Sequence, residues 1–241
     1  MERVDAAIPP VSIVRRKRQR TMRIRVKDDA IIVSGPSSVS ERRLLQFAEE
    51  KREWIRNVCL RRQEKVLLLM RKREQAKGSL LLRGIRKQIY DFPVPGLRKP
   101  VLEEREHAVV YRYNPMDHLS EEPLPSPGLV MDFYRQVAKV EIADRYDYWK
   151  EVLPFAPARL SVRNQRTKWG SCSARGTISL NWRLIKCPTT IMDYIIIHEF
   201  CHLRHFNHSR AFWETLGQHY PGVAAAKKWI REHSEEVFAD F

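Results

Sequence analysis

The stretch Asp193-Tyr-Ile-Ile-Ile-His-Glu-Phe-Cys-His-Leu-Arg-His-Phe-Asn-His-Ser-Arg-Ala-Phe-Trp213 decides how this chain is read. It contains His198-Glu199-Phe200-Cys201-His202, a His-Glu-x-x-His motif. On a helix, the i,i+4 spacing turns both imidazoles to one face one turn apart. That arrangement suits two ligands of a single zinc ion, with Glu199 beside them as a base. The apolar run Ile195, Ile196 and Ile197 just before the motif predicts a buried helix that holds the histidines rigidly. Four histidines within the eleven residues 198–208 argue against an ordinary polar surface helix.

A hydrolytic zinc site needs a third protein ligand and an open fourth position for water. His205, His208 and Glu214 are the nearby candidates. On a straight helix, His205 would lie roughly 10 Å beyond His198 at about 1.5 Å per residue, too far to share a metal held between His198 and His202. The chain must therefore turn before the third ligand. His208 allows a turn through Phe206-Asn207, and Asn tolerates the left-handed conformation that often ends helices. Geometry ranks His208 first, then Glu214, then His205. Ser209 is placed to cap a new helix that carries Phe212 and Trp213 into the core.

This segment is preceded by Thr167-Lys168-Trp169-Gly170-Ser171-Cys172-Ser173 and Ile178-Ser179-Leu180-Asn181. Together they resemble the YgjP-like family of zinc metallopeptidases, related to the SprT-like group. The resemblance covers residues from about Leu129 to Phe241 and, at the start, Ile13 to Asn57. It implies that His198, His202 and His208 are the metal ligands, that Glu199 is the catalytic acid/base and that Zn2+ is the cofactor. His205 stands where many proteases with this ligand spacing carry Gly.

The expected fold is α+β: a small antiparallel sheet packed on a zinc-binding active-site helix in a compact zincin-like catalytic domain. An N-terminal β-hairpin and a long helix precede it. Pro115, Pro123, Pro125, Pro127 and Gly128 mark the best domain boundary, dividing an N-terminal region 1–125 from a catalytic domain 126–241. In the N-terminal region, Met22, Ile24 and Val26 alternate with Arg23, Arg25 and Lys27, the period-2 pattern of a strand with one basic face. Asp28-Asp29 is a turn and Ile31-Ile32-Val33 the returning strand. Ser38 with Glu41 suggests a capping box, opening one helix with Leu44, Ala48, Ile55, Cys59, Val66 and Met70 on its apolar face. Phe47 and Trp54 belong to the core. Short strands at Leu80-Leu81-Leu82, Gln88-Ile89-Tyr90 and Val109-Val110-Tyr111 form an extended, peripheral middle. A helix from about Leu129 to Val152 places Phe133, Val137, Val140 and Tyr148 on one face. Strands at Leu160-Ser161-Val162 and Ile178 to Trp182 follow, then the metal helix and a last helix after Pro221-Gly222.

At 241 residues with 43% hydrophobic and 10% aromatic content, the chain is of globular composition. The first 30 residues lack the continuous apolar run of a secretory signal, and no run approaches the ~20 residues that span a membrane. A cytoplasmic protein without membrane contact is expected. Cys59, Cys172, Cys187 and Cys201 are widely spaced and form no Cys-x-x-Cys pair, so free thiols are expected. Cys201, about 100° from its helix neighbours, faces away from the metal.

The formal charge is +15, from 44 basic against 29 acidic residues, which fits an anionic partner. Eight of the thirteen residues from Arg15 to Lys27 are Lys or Arg, so nucleic acid or a nucleotide is a candidate partner beside a peptide or protein substrate. Three function classes follow. A zinc-dependent peptidase leads, with Glu199 as general base towards zinc-activated water. A metal-dependent hydrolase of nucleotides or another anionic substrate comes second. A nucleic-acid-associated protein with a structural zinc is third, because Glu199 would then have no reason to sit between ligands. Tyr220, His219 and Arg163 are candidates for the oxyanion donor, and Asp193 for orienting a ligand imidazole.

Overall fold

Residues 9–27, 30–75, 77–117 and 123–239 are described in the computed structural model of the protein, with the side chains of 65, 66 and 68–75 left aside. The expected turn at Asp28-Asp29 and the core positions Val66 and Met70 lie outside these. Two compact units divide between Gln75 and Ala76, upstream of the proline cluster at which the sequence placed the boundary.

In the first unit, β1 (Val11–Arg16), β2 (Arg23–Val26) and β3 (Ile31–Pro36) form a sheet of order β1-β3-β2. The hairpin β2-β3 is antiparallel, as its alternation predicts, with Arg23 and Arg25 exposed and Val26 buried. β1, whose short apolar run carries no clear period before the basic tract, adds itself parallel to β3. The expected single helix is two, α1 (Glu41–Glu50) and α2 (Arg52–Gln75), interrupted at Lys51. The cap of α1 is Ser40 and not Ser38: the Ser40 side chain accepts from the Arg43 N–H, which puts Glu41 at the first helical position and leaves no capping box. Leu44, Ala48, Ile55 and Cys59 pack on Val26, Ile31 and Val33. Trp54, expected in the core, is 47% exposed.

The second unit begins with a four-stranded sheet, β4 (Ser79–Leu82), β5 (Ile85–Pro93), β6 (Val101–Glu104) and β7 (Ala108–Tyr113), of order β4-β5-β7-β6. This middle is not peripheral. Leu80, Leu82 and Val109 are buried in the same core as Ile195, Ile196 and Ile197 of the helix that carries the His-Glu-x-x-His motif. The turn between β4 and β5 uses Arg83 and Gly84 at φ of 50° and 79°, the left-handed pair that a tight hairpin requires. Their N–H groups donate to the carbonyls of Ile185 and Lys186. Ser126 caps α3 (Pro127–Val152), and its buried ladder is Val130, Tyr134, Ala138, Ile142 and Tyr146. This +4 series displaces the expected stripe through Val140 and Tyr148, which are exposed.

Next come β8 (Arg159–Arg163), β9 (Gly170–Cys172) and β10 (Thr177–Asn181), in the order β8-β10-β9. The expected antiparallel sheet is mixed: β10 runs antiparallel to β9 but parallel to β8. The cause is the segment 164–169, which carries the chain across so that β8 and β9 flank β10. Asn181, fully buried, fixes that crossing by donating from Nδ2 to the carbonyls of Gln165 (2.7 Å) and Lys168 (2.8 Å). A buried 3-10 turn at Trp182–Lys186 leads into α4 (Thr189–Cys201), followed by α5 (Arg210–His219) and α6 (Val223–Phe238). α4 is buried nearly all round, with ten of its thirteen residues buried, Asp193 and Glu199 among them, as befits a helix surrounded by β9, β10, α3, α5 and α6. With six α-helices and three small sheets among the described residues, the fold is α+β. Among those residues no helix is long and apolar enough to cross a membrane.

Candidate metal centre

Packing of Ile195, Ile196 and Ile197 into the core fixes the azimuth of α4 and so the direction in which its last turn points. Cys201 ends the helix and His202 is its C-cap. The chain then tightens: the N–H of Leu203 donates to Phe200 O, and those of Arg204 and His205 both donate to Cys201 O. No left-handed residue makes the turn, since Arg83 is the only non-glycine with positive φ among the described residues. The expected role for Asn207 is therefore absent, and short i→i−3 bonds do the reversing instead. Ser209 then caps α5 by accepting from the Phe212 N–H, and Phe212 is fully buried, as the sequence suggests.

These local features bring His198, His202 and His208 together, with one ring nitrogen of each within 4.8 Å of the others. Nε2 of His198 and Nε2 of His208 lie 3.0 Å apart, two lone pairs facing each other unless a proton or a cation lies between them. Nδ1–H of His202 donates to the His205 carbonyl at 2.9 Å, which fixes the tautomer and leaves Nε2 of His202 free to ligate. Nδ1 of His198 is buried with no hydrogen-bond partner. Burial and the neighbouring imidazoles push His198 down to about 3 and also lower His208. Both shifts favour the neutral imidazole, the form that metal ligation requires. The residues fit a metal ion.

His205 and Glu214, the other candidates, are engaged elsewhere. Nε2 of His205 meets Thr215 Oγ1 at 3.0 Å, tying the turn to α5, and Glu214 accepts from Arg210 one turn away. Glu199 is 6% exposed and its carboxyl is pushed up to about 8, chiefly by burial, with Lys168 opposing. It lies against β9 so closely that a Cβ on Gly170 would sit 2.7 Å from its Cγ and from Oε1. Glycine at 170 is what lets the strand pass the carboxylate.

The oxyanion candidates are not at the cluster. The Tyr220 hydroxyl donates to Thr190 O at the opposite end of α4, the His219 ring packs edge-on to Phe155, and Arg163 Nε donates to Ser161 Oγ. Asp193 orients no imidazole either. It accepts from Arg145 Nε and Nη2 at 2.7 and 2.8 Å and from Trp149 Nε1 at 2.8 Å, bolting α4 to α3. Cys201 faces the core, as expected, and burial pushes its thiol up to about 12. All four cysteines are free.

Sequence reasoning misses the outer layer. Trp213 stacks on the His208 ring (5.5 Å, 27°), and the ammonium of Lys227 sits 4.3 Å from the Trp213 ring centroid. The layering ammonium, indole, imidazole comes from α6, α5 and the turn, which no local spacing joins.

The two perturbed groups give the metal-free protein a defined pH response. Folding raises Glu199 from 4.5 to about 8, so between those values the folded chain holds a proton that the unfolded chain has released, and stability falls as pH rises through that window. For His198 the folded value lies below the unfolded one, 6.5 falling to about 3, so stability falls as pH drops through that range. In chelator-treated protein, Glu199→Gln is expected to flatten the loss between about pH 5 and about pH 8, read as denaturant midpoints. Parallel pH curves for wild type and variant would show that the carboxyl titrates normally.

No curated protein and no solved structure matches the chain. The family model described as YgjP-like, metallopeptidase domain, matches residues 20–233, a span that covers most of each compact unit and the whole histidine cluster. The chain belongs to the YgjP-like metallopeptidase-domain family.

Proposed function

We propose that the protein is a zinc-dependent peptidase, with His198, His202 and His208 as metal ligands and Glu199 as general base. The observation that carries this reading is the meeting of three imidazoles, two from the end of α4 and one from the turn that follows, with the buried carboxylate of Glu199 next to His198 on that helix. Zinc bound there supplies a Lewis acid for the scissile carbonyl and lowers the pKa of water towards ~7. Glu199 takes the proton of the attacking water and delivers it to the leaving amine. Its raised pKa describes the site without a cation, and a cation on the adjacent imidazoles draws it down into the range of a base. His205 positions His202 through its carbonyl, and Trp213 holds the His208 ring from outside.

β9 lies at the edge of its sheet, and its Gly170 backbone runs past Glu199. An extended peptide paired to that edge would lie alongside the strand that abuts the carboxylate. This favours a peptide over a nucleotide, and it fits a compact, zincin-like site.

The ligand set is tested by metal content. His198→Ala, His202→Ala and His208→Ala are each expected to reduce bound zinc from near one per chain to a small fraction, whereas His205→Ala, which keeps the backbone carbonyl, retains it. Zinc retained by His208→Ala and lost by His205→Ala would reverse the assignment. The function is tested by a screen of zinc-loaded protein against peptides and nucleotides together. Cleavage of peptides alone supports the proposal, and hydrolysis of nucleotides alone overturns it.

A further inference from the structure

The charge of the chain is unevenly placed. Residues 1–75 carry 20 basic and 10 acidic residues, against 24 and 19 in residues 76–241. Within the first unit the eight cations from Arg15 to Lys27 are all exposed, with no acidic residue among them. Among the described residues no carboxylate pairs with any of them, whereas on the helices of the same unit Arg43 pairs with Glu50 and Arg52 with Glu49. An unpaired row of like charges costs stability through self-repulsion, so its concentration on one sheet calls for an anionic ligand.

The cations are held, not trailing. The Gln19 side chain donates to Thr21 O at 2.6 Å and to Ser34 Oγ at 3.1 Å, and the Gln19 N–H donates to Arg16 O. These bonds pin the connection between β1 and β2 against β3. Around it Arg16, Arg18, Arg20 and Arg23 line an open concavity of about 460 Å3. On β2, Arg23 and Arg25 point to the same side, a repeat of about 6.7 Å. That is comparable to the distance between successive phosphates of a nucleic-acid strand.

The chemistry distinguishes the partner. Six of the eight cations are arginine, the side chain that grips phosphate with a two-pronged donor fork. The chain has no aromatic residue before Phe47. Stacking platforms for single-stranded bases are therefore missing from this face, as are the aromatic anchors of a membrane-surface segment. A face with guanidinium groups and nothing to stack reads phosphates along a duplex. We propose that the exposed face of β1 and β2, with the connection between them, binds the phosphate backbone of duplex nucleic acid without sequence preference. This goes beyond the peptidase reading and does not depend on it.

The test is fluorescence anisotropy of the full-length protein with a labelled mixed-sequence DNA duplex, titrated between about 50 and about 200 mM salt. If about five phosphates are neutralised, log K falls with log salt at a slope of about −4.5. Changing Arg16, Arg18 and Arg20 together to Gln is expected to reduce that slope by about three. The same three changed to Lys should keep it, which retains the test if the Gln variant fails to fold. His198→Ala should bind the duplex like wild type, so a failure of the metal site and a failure of this surface are separately visible. Salt-independent binding, or a slope that survives the Gln changes, overturns the proposal. So does tighter binding to the single strand, to phosphatidylserine vesicles or to polyglutamate than to the duplex.

Discussion

Glu199→Gln is expected to leave the protein folded and metal-loaded while lowering peptide turnover by ~100-fold or more, the scale of general acid–base catalysis. The amide has the shape of the carboxyl and fits the same gap against Gly170, where a Cβ would meet the Glu199 side chain at 2.7 Å. Its burial should not be disturbed, because the change removes only the capacity to accept and return a proton. Metal analysis, a thermal melt and turnover on one preparation check all three parts. Activity that survives would sink the mechanism. Loss of metal or of the fold would make Glu199 a structural group.

The second large effect lies away from the cluster, at Asp193. Its carboxylate receives three charge-assisted or indole hydrogen bonds from Arg145 and Trp149 on α3, with side-chain exposures of 12% for Asp193 and 28% for Arg145. Asp193→Ala leaves the guanidinium and the indole N–H without that partner. The expected cost is about 3 kcal/mol, the lower end for breaking a buried pair because Arg145 is partly solvated. For a chain of this size that lowers the melting temperature by roughly 6–12 °C. Asp193→Leu combined with Arg145→Met should recover part of the loss, since no unpaired charge then remains. Metal affinity should hold throughout in the folded protein. A drop of about 10-fold or more in affinity at unchanged stability would instead give Asp193 a role in orienting a ligand.

What the sequence makes legible here is what depends on local spacing. The motif on α4, the need for a turn before His208, the cap at Ser209 and the basic alternation of β2 are all set by residues within a few positions of one another. The misses share a different cause. Asp193 looks like a carboxylate near a helix start until Arg145, on α3, is brought to it. The sheet looks antiparallel until the crossing held by Asn181 places β8 beside β10. β4 looks peripheral because Leu80 and Leu82 show no amphipathic context of their own, and only the packing of α3 and the 3-10 turn reveals them as core. Trp213 and Lys227 are invisible for the same reason. The resemblance in motifs anticipated the family and, with it, a cluster of three histidines that could hold a metal ion.

The brevity of the turn between His202 and His208 has a thermodynamic consequence. All three imidazoles fall within residues 198–208, a loop so short that the denatured chain closes it at little entropic cost and in well under a microsecond. The denatured ensemble can therefore capture a metal ion too. By linkage, an ion stabilises a fold only to the extent that it binds the native state more tightly than the denatured one. The native advantage here is the rigidity supplied by α4, the His205 carbonyl and Trp213, and not the gathering of ligands from distant parts of the chain. A metal ion held by these three imidazoles would thus raise the stability of the protein by less than its native-state affinity alone implies.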